Sequence, residues 1–248
     1  MNMTERSRRA FLKSTLAGGA LTTGAVLLPS GSAWAATAPQ TRATTYRLRV
    51  TNNSGSFEQF AVYQNDPDLG VPNAMSLAWL VYGAPPSSTV VFQWTLDYSF
   101  MLFAEGGAEP TQILAADPTG PAGQQVQLSH GEGGYLLQPG RAVADPRSGS
   151  LYIRELADLP VGGPARVGIG LSGRPVYSAP VEPDTDLVLT PHPGGNYWVT
   201  AGTFEAGSVL DVEQIVPPAR VTFVPGVYAM QAILDRDDTW RVQPDFAG

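Results

Sequence analysis

The chain of 248 residues contains no cysteine, a single lysine (Lys13) and only two histidines. Without cysteine there are no disulfides, cysteine-ligated zinc ions, iron–sulfur clusters or thiol nucleophiles. With Lys13 in the N-terminal segment, the rest of the chain has no lysine for Schiff-base chemistry or for a P-loop. The fold must therefore be held by its core, and these cofactor and nucleophile classes are excluded.

Long apolar runs are also missing, apart from a weakly apolar stretch close to the N-terminus. Ser7-Arg8-Arg9-Ala10-Phe11-Leu12-Lys13 matches the twin-arginine pattern, and Ala33-Trp34-Ala35 matches a small-x-small cleavage site. The apolar stretch between them, 14–28, is shorter than the roughly 20 residues of a spanning helix. We predict that residues 1–35 are a cleaved twin-arginine signal peptide and that residues 36–45 are a flexible leader.

This interpretation predicts an exported protein, extracellular or periplasmic, which meets the twin-arginine translocase during export. It predicts no stable membrane insertion after cleavage. The formal net charge of the whole chain is −7, and an acidic surface argues against a nucleic-acid partner.

Helical periodicity is absent after the leader, and the clearest pattern has a period of two. In Phe92-Gln93-Trp94-Thr95-Leu96-Asp97-Tyr98-Ser99-Phe100, apolar and polar residues alternate, as in a half-buried strand or two strands bent near Asp97-Tyr98. Many other short apolar segments lie between Gly- and Pro-rich turns. We predict an all-β fold, an antiparallel β-sandwich-like domain over 46–248, with one short helix at Asn73–Leu80.

A weak internal repeat leaves open two readings of this domain, a single sandwich or two similar packed β units. Tyr82-Gly83-Ala84-Pro85 and Tyr177-Ser178-Ala179-Pro180 are each followed by a turn, a strand and an aromatic pair. The two halves would be 46–160 and 161–248, and the surface where they join would be a natural site.

Catalytic constellations are sparse. Gly168-Ile169-Gly170-Leu171-Ser172-Gly173 fits GxGxxG, but Pro175 follows and no helix is predicted, so we interpret these glycines as part of a turn. His192 lies between two prolines in Thr190-Pro191-His192-Pro193. Of the two histidines, His192 is the better candidate for a catalytic base, with Asp97 as a carboxylate partner.

Metal and ligand candidates come from turns and aromatics. Oxygen-rich turns that could bind calcium contain Asp66, Asp68, Asp235, Asp237 and Asp238, although such residues commonly cap their own turns. Ligand-binding candidates are Trp79, Tyr98, His192, Tyr197 and Trp198. Aromatic rings can stack on sugars, although they are more commonly core residues. No motif predicts a cofactor.

Several longer blocks resemble one family. These are Phe60–Asp68, Pro72–Trp79, Phe92–Phe100, Gly149–Ile153, Val167–Gly173 and Thr190–Pro193 with Tyr197-Trp198. They are similar to the RhiA-type, rhizosphere-expressed bacterial proteins over about Tyr46 to Val242. The resemblance implies plant-root association and quorum-regulated expression, and it transfers no catalytic residues. The twin-arginine leader departs from the family pattern.

Three functions follow as hypotheses. The first is an exported, non-enzymatic binding or surface-interaction protein for a glycan or another host-associated ligand. The second is a secreted hydrolase that uses His192 with a nearby carboxylate, and the third is a calcium-stabilised structural protein.

Overall fold

Short segments rich in β-branched and aromatic residues alternate with Gly- and Pro-containing turns, and they form strands throughout the part of the chain that is described. The computed structural model describes residues 44–64, 75–105, 107–118, 124–190, 197–210 and 216–246. These residues form strands, turns and irregular segments but no helix. The all-β prediction is therefore confirmed. No helix in the described ranges is long and apolar enough to cross a bilayer.

The strand bounds are as follows: β1 Thr45–Asn52, β2 Glu58–Gln64, β3 Met75–Ser76, β4 Leu80–Ala84, β5 Ser88–Thr95, β6 Tyr98–Phe103, β7 Gln112–Ala116, β8 Gln125–Gly131, β9 Gly134–Pro139, β10 Leu151–Glu155, β11 Arg166–Leu171, β12 Arg174–Pro180, β13 Thr185–Leu189, β14 Tyr197–Gly202, β15 Ala219–Val221, β16 Ala229–Leu234 and β17 Trp240–Pro244.

The strands form four sheets. Sheet A has the order β17-β16-β1-β5, sheet B β15-β14-β2-β4, sheet C β3-β12-β11-β6-β7, and sheet D β13-β10-β8-β9. Neighbouring strands are antiparallel except for β1 with β16 and β8 with β10, which are parallel. Large apolar side chains of sheets A and B interlock: Trp94 on β5 packs against Tyr197 on β14, and Phe60 on β2 packs against Trp240 on β17.

Sheets A and B therefore form one sandwich, which we call the split sandwich because its strands come from both ends of the described chain. Sheets C and D form the continuous sandwich, whose strands, apart from β3, are β6 to β13 and follow one another along the chain. In the continuous sandwich, β7 and β9 meet across the two sheets, and Leu137 N donates a hydrogen bond to Gln112 Oε1 at 2.7 Å.

The strand orders reveal an internal repeat of eight strands. Sheets A and D have equivalent orders, including their parallel pairs, and so do sheets B and C when β3 is left aside. In chain order, the first set of equivalent strands is β1, β2, β4, β5, β6, β7, β8 and β9, and the second is β10 to β17. The repeat boundary lies between β9 and β10, earlier in the chain than residue 160. Each sheet takes two equivalent strands from each repeat, and residues Arg42–Gly248 form one compact unit.

Burial distinguishes central from peripheral sheets. On β1 and β16 buried and partly exposed residues alternate, so sheet A has one face towards solvent. On β6 all six residues are buried, and β2 and β11 are buried over most of their length. Since the inner strands of sheets B and C are buried on both faces and β2 lies beside β12, these two sheets occupy the centre of this compact unit.

The alternating segment 92–100 is two strands. β5 ends at Thr95 in sheet A, and β6 begins at Tyr98 in sheet C. The short segment between them carries the chain from one sandwich to the other. Ser172 holds this crossing: its hydroxyl accepts from Thr95 N at 2.8 Å and donates to Thr95 O at 3.0 Å, and its amide donates to Asp97 O at 2.9 Å.

The predicted helix at Asn73–Leu80 is wrong for the residues that are described. Residues 75–76 form β3 in sheet C, and Leu80 begins β4 in sheet B. Leu77 N bonds to Val176 O and Trp79 N to Val62 O, so this segment joins the two central sheets through its backbone. Pairing with two neighbouring strands satisfies backbone groups that a single isolated helical turn would leave unpaired.

Asn52 and Glu155 occupy corresponding places, each at the end of its strand, and each is fully buried. Asn52 is well bonded: its amide donates to Ala84 O at 2.8 Å, and its side-chain oxygen accepts from Ser54. Glu155 Oε2 accepts from Glu182 N at 2.9 Å, but Oε1 is buried without a hydrogen-bond partner. Burial raises the pKa of Glu155 to about 7, against a smaller opposing effect of the Glu182 amide.

We predict that Ser172→Ala destabilises the protein by about 2 kcal/mol, measured by urea unfolding. The substitution removes both bonds to Thr95, and Ser172 has a φ of 51°, which disfavours alanine. Ser172→Gly is the matched variant, because it also lacks the hydroxyl but accepts this φ. It should lose less stability than Ser172→Ala. Wild-type stability in both variants would contradict the inference that the Ser172 hydroxyl stabilises the crossing between the two sandwiches.

We predict that the free energy of unfolding falls by roughly 2 kcal/mol between pH 5 and pH 8 because of Glu155. Its folded pKa, about 7, is above the ordinary value of 4.5. Its stabilising contribution is therefore complete below that ordinary value and is lost as the pH rises through the folded pKa. Glu155→Gln removes this dependence, so the variant should gain stability over the wild type as the pH rises. Parallel pH profiles of the two proteins would refute the assignment.

Candidate functional site

Two equivalent loops, one from each repeat, meet at the surface and enclose a cleft of about 400 Å³. The described parts of the loops are 104–105 and 107–111, between β6 and β7, and 203–210 and 216–218, between β14 and β15. We call this the interface cleft. It is lined by Trp79, Ala108, Glu109, Pro110, Ile113, Gly173, Arg174, Pro175, Ala206 and Gly207.

Close backbone contact joins the two loops. Gly207 has a φ of 82°, and a Cβ atom at this position would lie 2.9 Å from the Ala108 carbonyl oxygen. Gly207 N donates to Ala78 O at 2.8 Å, and Ala78 N donates to Ser208 O at 2.9 Å. The absence of a side chain at Gly207 therefore allows the loops to touch, and the segment before β4 anchors one of them.

Trp79 forms the floor of the cleft. Its side chain is fully buried, and its indole Nε1 donates to Leu171 O at 3.0 Å. Its ring stacks on Tyr197 with centroids 6.1 Å apart and meets Trp94 edge-on at 5.3 Å. One face of the floor is thus held by the core of the split sandwich, and the hydrogen bond ties it to β11.

The walls combine both charges with apolar surface. Glu109 and Arg174 are exposed and belong to no ion pair within the described residues, while Ile113 is 51% exposed. Arg174 follows the turn Ser172-Gly173, whose φ values of 51° and 73° fit a type I′ hairpin. A carboxylate can accept and a guanidinium can donate several hydrogen bonds, and Ile113 with the prolines offers contact to an apolar face. The described lining contains no histidine, serine or other nucleophile–base pair.

The aromatic residues predicted to bind ligand are mostly core residues. Trp79, Tyr98 and Tyr197 are 0%, 7% and 0% exposed, and burial raises the pKa values of both tyrosines. Trp198 is half-buried, on the strand face opposite to Tyr197. None of the three buried rings forms an exposed stacking platform, although Trp79 underlies the cleft. Their roles in binding stay predictions.

Only one member of the candidate hydrolase pair, Asp97, lies in the described residues. Asp97 is exposed, and its carboxylate accepts a hydrogen bond from the Thr95 hydroxyl. His192 lies outside the described residues. Asp97 therefore has a visible structural partner in the crossing segment, and its catalytic role stays a prediction.

Of the five calcium candidates, three lie in the described residues and two lie outside them. Asp66 and Asp68 lie outside the described residues. Asp235 accepts two bonds from Arg241, at 2.6 and 2.9 Å, and Asp237 Oδ1 accepts from the Thr239 hydroxyl at 2.7 Å. Asp238 lies in the same turn with a φ of 59°. No group of three or more metal-ligating side chains occurs in the part of the chain that is described.

A second depression, of about 690 Å³, lies over this turn. It is lined by Asn53, Ser54, Gly55, Pro86, Ser87, Asp235, Arg236 and Asp237. Hydrogen bonding to Arg241 lowers the pKa of Asp235, and hydrogen bonding to Thr239 lowers that of Asp237. Both carboxylates therefore form hydrogen bonds within the hairpin that joins β16 to β17.

Sequence reasoning missed Glu109, Ile113 and Arg174. The available signal was indirect: the repeat predicted a joint between two similar units, and Gly173-Arg174-Pro175 marked a turn. Loop residues from distant parts of a chain carry no local pattern that shows they meet, so only the strand pairing brings these three together.

Both a family model and a known protein are similar to this chain over most of its length. The family model described as RhiA matches residues 43–245. Protein RhiA of Rhizobium leguminosarum bv. viciae is 32% identical over 210 residues, which cover 81% of this chain and 87% of that protein. No solved structure matches the chain.

Proposed function

The chain belongs to the RhiA family, and we propose that it is an exported, non-enzymatic binding protein whose interface cleft takes a small, hydroxyl-rich ligand such as the end of a glycan. The observation that carries the proposal is the composition of the cleft: Glu109 and Arg174 line it together with apolar side chains that include Ile113.

The volume of the cleft, about 400 Å³, falls in the range of small-molecule sites. Sugars present hydroxyl groups that donate and accept hydrogen bonds, together with apolar C–H faces. Glu109 can accept from ligand hydroxyls, Arg174 can donate to ligand oxygens, and Ile113 can pack against a C–H face. A rigid floor, Trp79, limits the entropy lost when a ligand is ordered above it.

Export is the second part of the proposal, and the twin-arginine pattern at Ser7 to Lys13 supports it. That route carries folded proteins, and a chain without cysteine needs no disulfide formation outside the cytoplasm. The working protein would begin near Ala36, and its partners would be the translocase during export and a glycan or host-surface ligand afterwards.

For ligand binding we predict that the mature chain, starting at Ala36, binds at least one glycan class on an array and in isothermal titration calorimetry. Arg174→Gln and Glu109→Gln should each weaken binding about tenfold or more, because each removes a charge-assisted hydrogen bond. Arg141→Gln and Glu132→Gln are matched controls, since both residues are exposed and neither lines the cleft. Binding to no glycan class, or binding that both cleft variants leave unchanged, would remove the proposal.

For export we predict that replacing Arg8 and Arg9 together by lysine keeps the full-length precursor inside the cell, because the translocase recognises the paired arginines. Cell fractionation and the mass of the product report the outcome. Arg6→Lys, outside the pair, is the control and should be exported and cleaved. Export of the double variant at the wild-type level would contradict the twin-arginine assignment.

A further inference from the structure

Four buried side chains in the core of the split sandwich and at its junction with β6 end in polar atoms that have no hydrogen-bond partner among the described residues. The atoms are Gln64 Nε2, Trp94 Nε1, Tyr98 OH and Tyr197 OH. The four residues are 4%, 2%, 7% and 0% exposed. We call them the buried polar cluster.

The four side chains are neighbours, and Tyr197 lies among the other three. Gln64 is directly opposite Tyr197 in the pairing of β2 with β14. The Trp94 and Tyr197 rings have centroids 5.0 Å apart. Tyr98 is directly opposite Leu171 in the pairing of β6 with β11, and the Leu171 carbonyl accepts from the indole of Trp79, whose ring stacks on Tyr197.

The donors come near the Tyr197 hydroxyl without bonding to it. Burial raises the pKa of Tyr197 to about 12, and the Trp94 and Gln64 donors act in the opposite direction by stabilising its charged form. Neither donor reaches it with the geometry of a direct hydrogen bond.

Leaving these groups unpaired would be costly. A buried donor or acceptor without a partner costs about 1–3 kcal/mol, and native proteins satisfy the great majority of such groups. Buried water is the common solution where several polar atoms converge, and it typically makes about three hydrogen bonds.

The surroundings restrict what the partner can be. The cluster is enclosed by aromatic rings: Tyr46, Phe223 and Trp79 are at most 9% exposed. All four polar atoms belong to uncharged side chains, so a charged guest would have no counter-charge in the cluster to offset its desolvation. A guest must therefore be small and neutral, and it must both accept and donate hydrogen bonds.

We propose that the buried polar cluster is a hydration site that holds ordered water. A water molecule accepts from Trp94 Nε1 and Gln64 Nε2 and donates to the hydroxyl oxygens of Tyr98 and Tyr197, so its two lone pairs and two protons match the four groups. Trp79 separates this site from the interface cleft, so the water is a permanent part of the core and independent of any cleft ligand.

The direct test is a crystal structure of the mature chain at about 1.5 Å resolution. The expected result is water density in contact with Tyr197 OH and with at least two of the other three atoms, at about 2.7–3.2 Å. Direct bonds among the four side chains, an anhydrous cluster or density for a larger guest would each overturn the proposal.

Thermal unfolding supplies a second test, in which the sign of the change in melting temperature distinguishes a water-bridged cluster from a dry one. If water bridges the cluster, Tyr197→Phe removes one of its anchors and should lower the melting temperature by about 2–4 °C or more. If the hydroxyl is dry and unpaired, the same substitution removes an unsatisfied group and should raise the melting temperature, which would contradict the proposal.

Tyr152→Phe is the matched control. Tyr152 is also buried, and its hydroxyl accepts a direct bond from Arg147 N at 2.6 Å. Its variant calibrates the loss of one direct hydrogen bond. We expect Tyr197→Phe to lower the melting temperature at least as much, and its crystal structure to lack the water or show it displaced. Retention of the density unchanged in the variant would also count against the assignment.

Discussion

The rest of the structure depends on one constraint: each repeat supplies only two of the four equivalent strands in every sheet. β1 and β5 of the first repeat pair with β16 and β17 of the second in sheet A, and the other sheets divide in the same manner. Backbone N–H and C=O groups in a buried strand must be paired, so neither repeat can bury its strands without the other. The two repeats are interdependent parts of one fold.

The candidate site is a consequence of this sharing. Because strands of both repeats are interleaved, the β6–β7 loop and its equivalent after β14 reach the same surface and touch at Ala108 and Gly207. The floor comes from a feature that only one repeat has. The first repeat joins β2 to β4 by a long connection that contains β3 and Trp79, whereas the second joins β11 to β12 by a tight hairpin at Ser172-Gly173. The cleft lies between these two unequal connections.

The two repeats also differ at equivalent positions in the interior. Asn52 satisfies its strand end with bonds to Ala84 and Ser54, while Glu155 in the corresponding place leaves one oxygen without a partner. A neutral amide can be both donor and acceptor, but a carboxylate can only accept and is expensive to bury when charged. Equivalent positions in the two repeats thus differ in how stability responds to pH.

Much of the fold could be predicted from local patterns. Alternation over Phe92–Phe100 predicted one half-buried strand or two strands bent near Asp97, and the structure has two strands, β5 and β6, with a break there. The two Tyr-x-Ala-Pro pieces lie at β4 and β12, which occupy equivalent places in sheets B and C. Asn73–Leu80 was misread, because its short apolar spacing fits a helical turn as well as a strand, and long-range pairing with Val62 and Val176 decided the matter.

The sequence by itself determined the chemistry that is excluded by the absence of cysteine and by a single, N-terminal lysine, and it determined the all-β class. Both follow from composition and from periods of a few residues, which act locally, whereas the family membership follows from similarity to related sequences. Only the tertiary structure decided that Trp79, Tyr98 and Tyr197 are buried and that Glu109, Ile113 and Arg174 share a cleft. Exposure and convergence depend on contacts between residues far apart in the chain, and the interleaving of the two repeats determines those contacts.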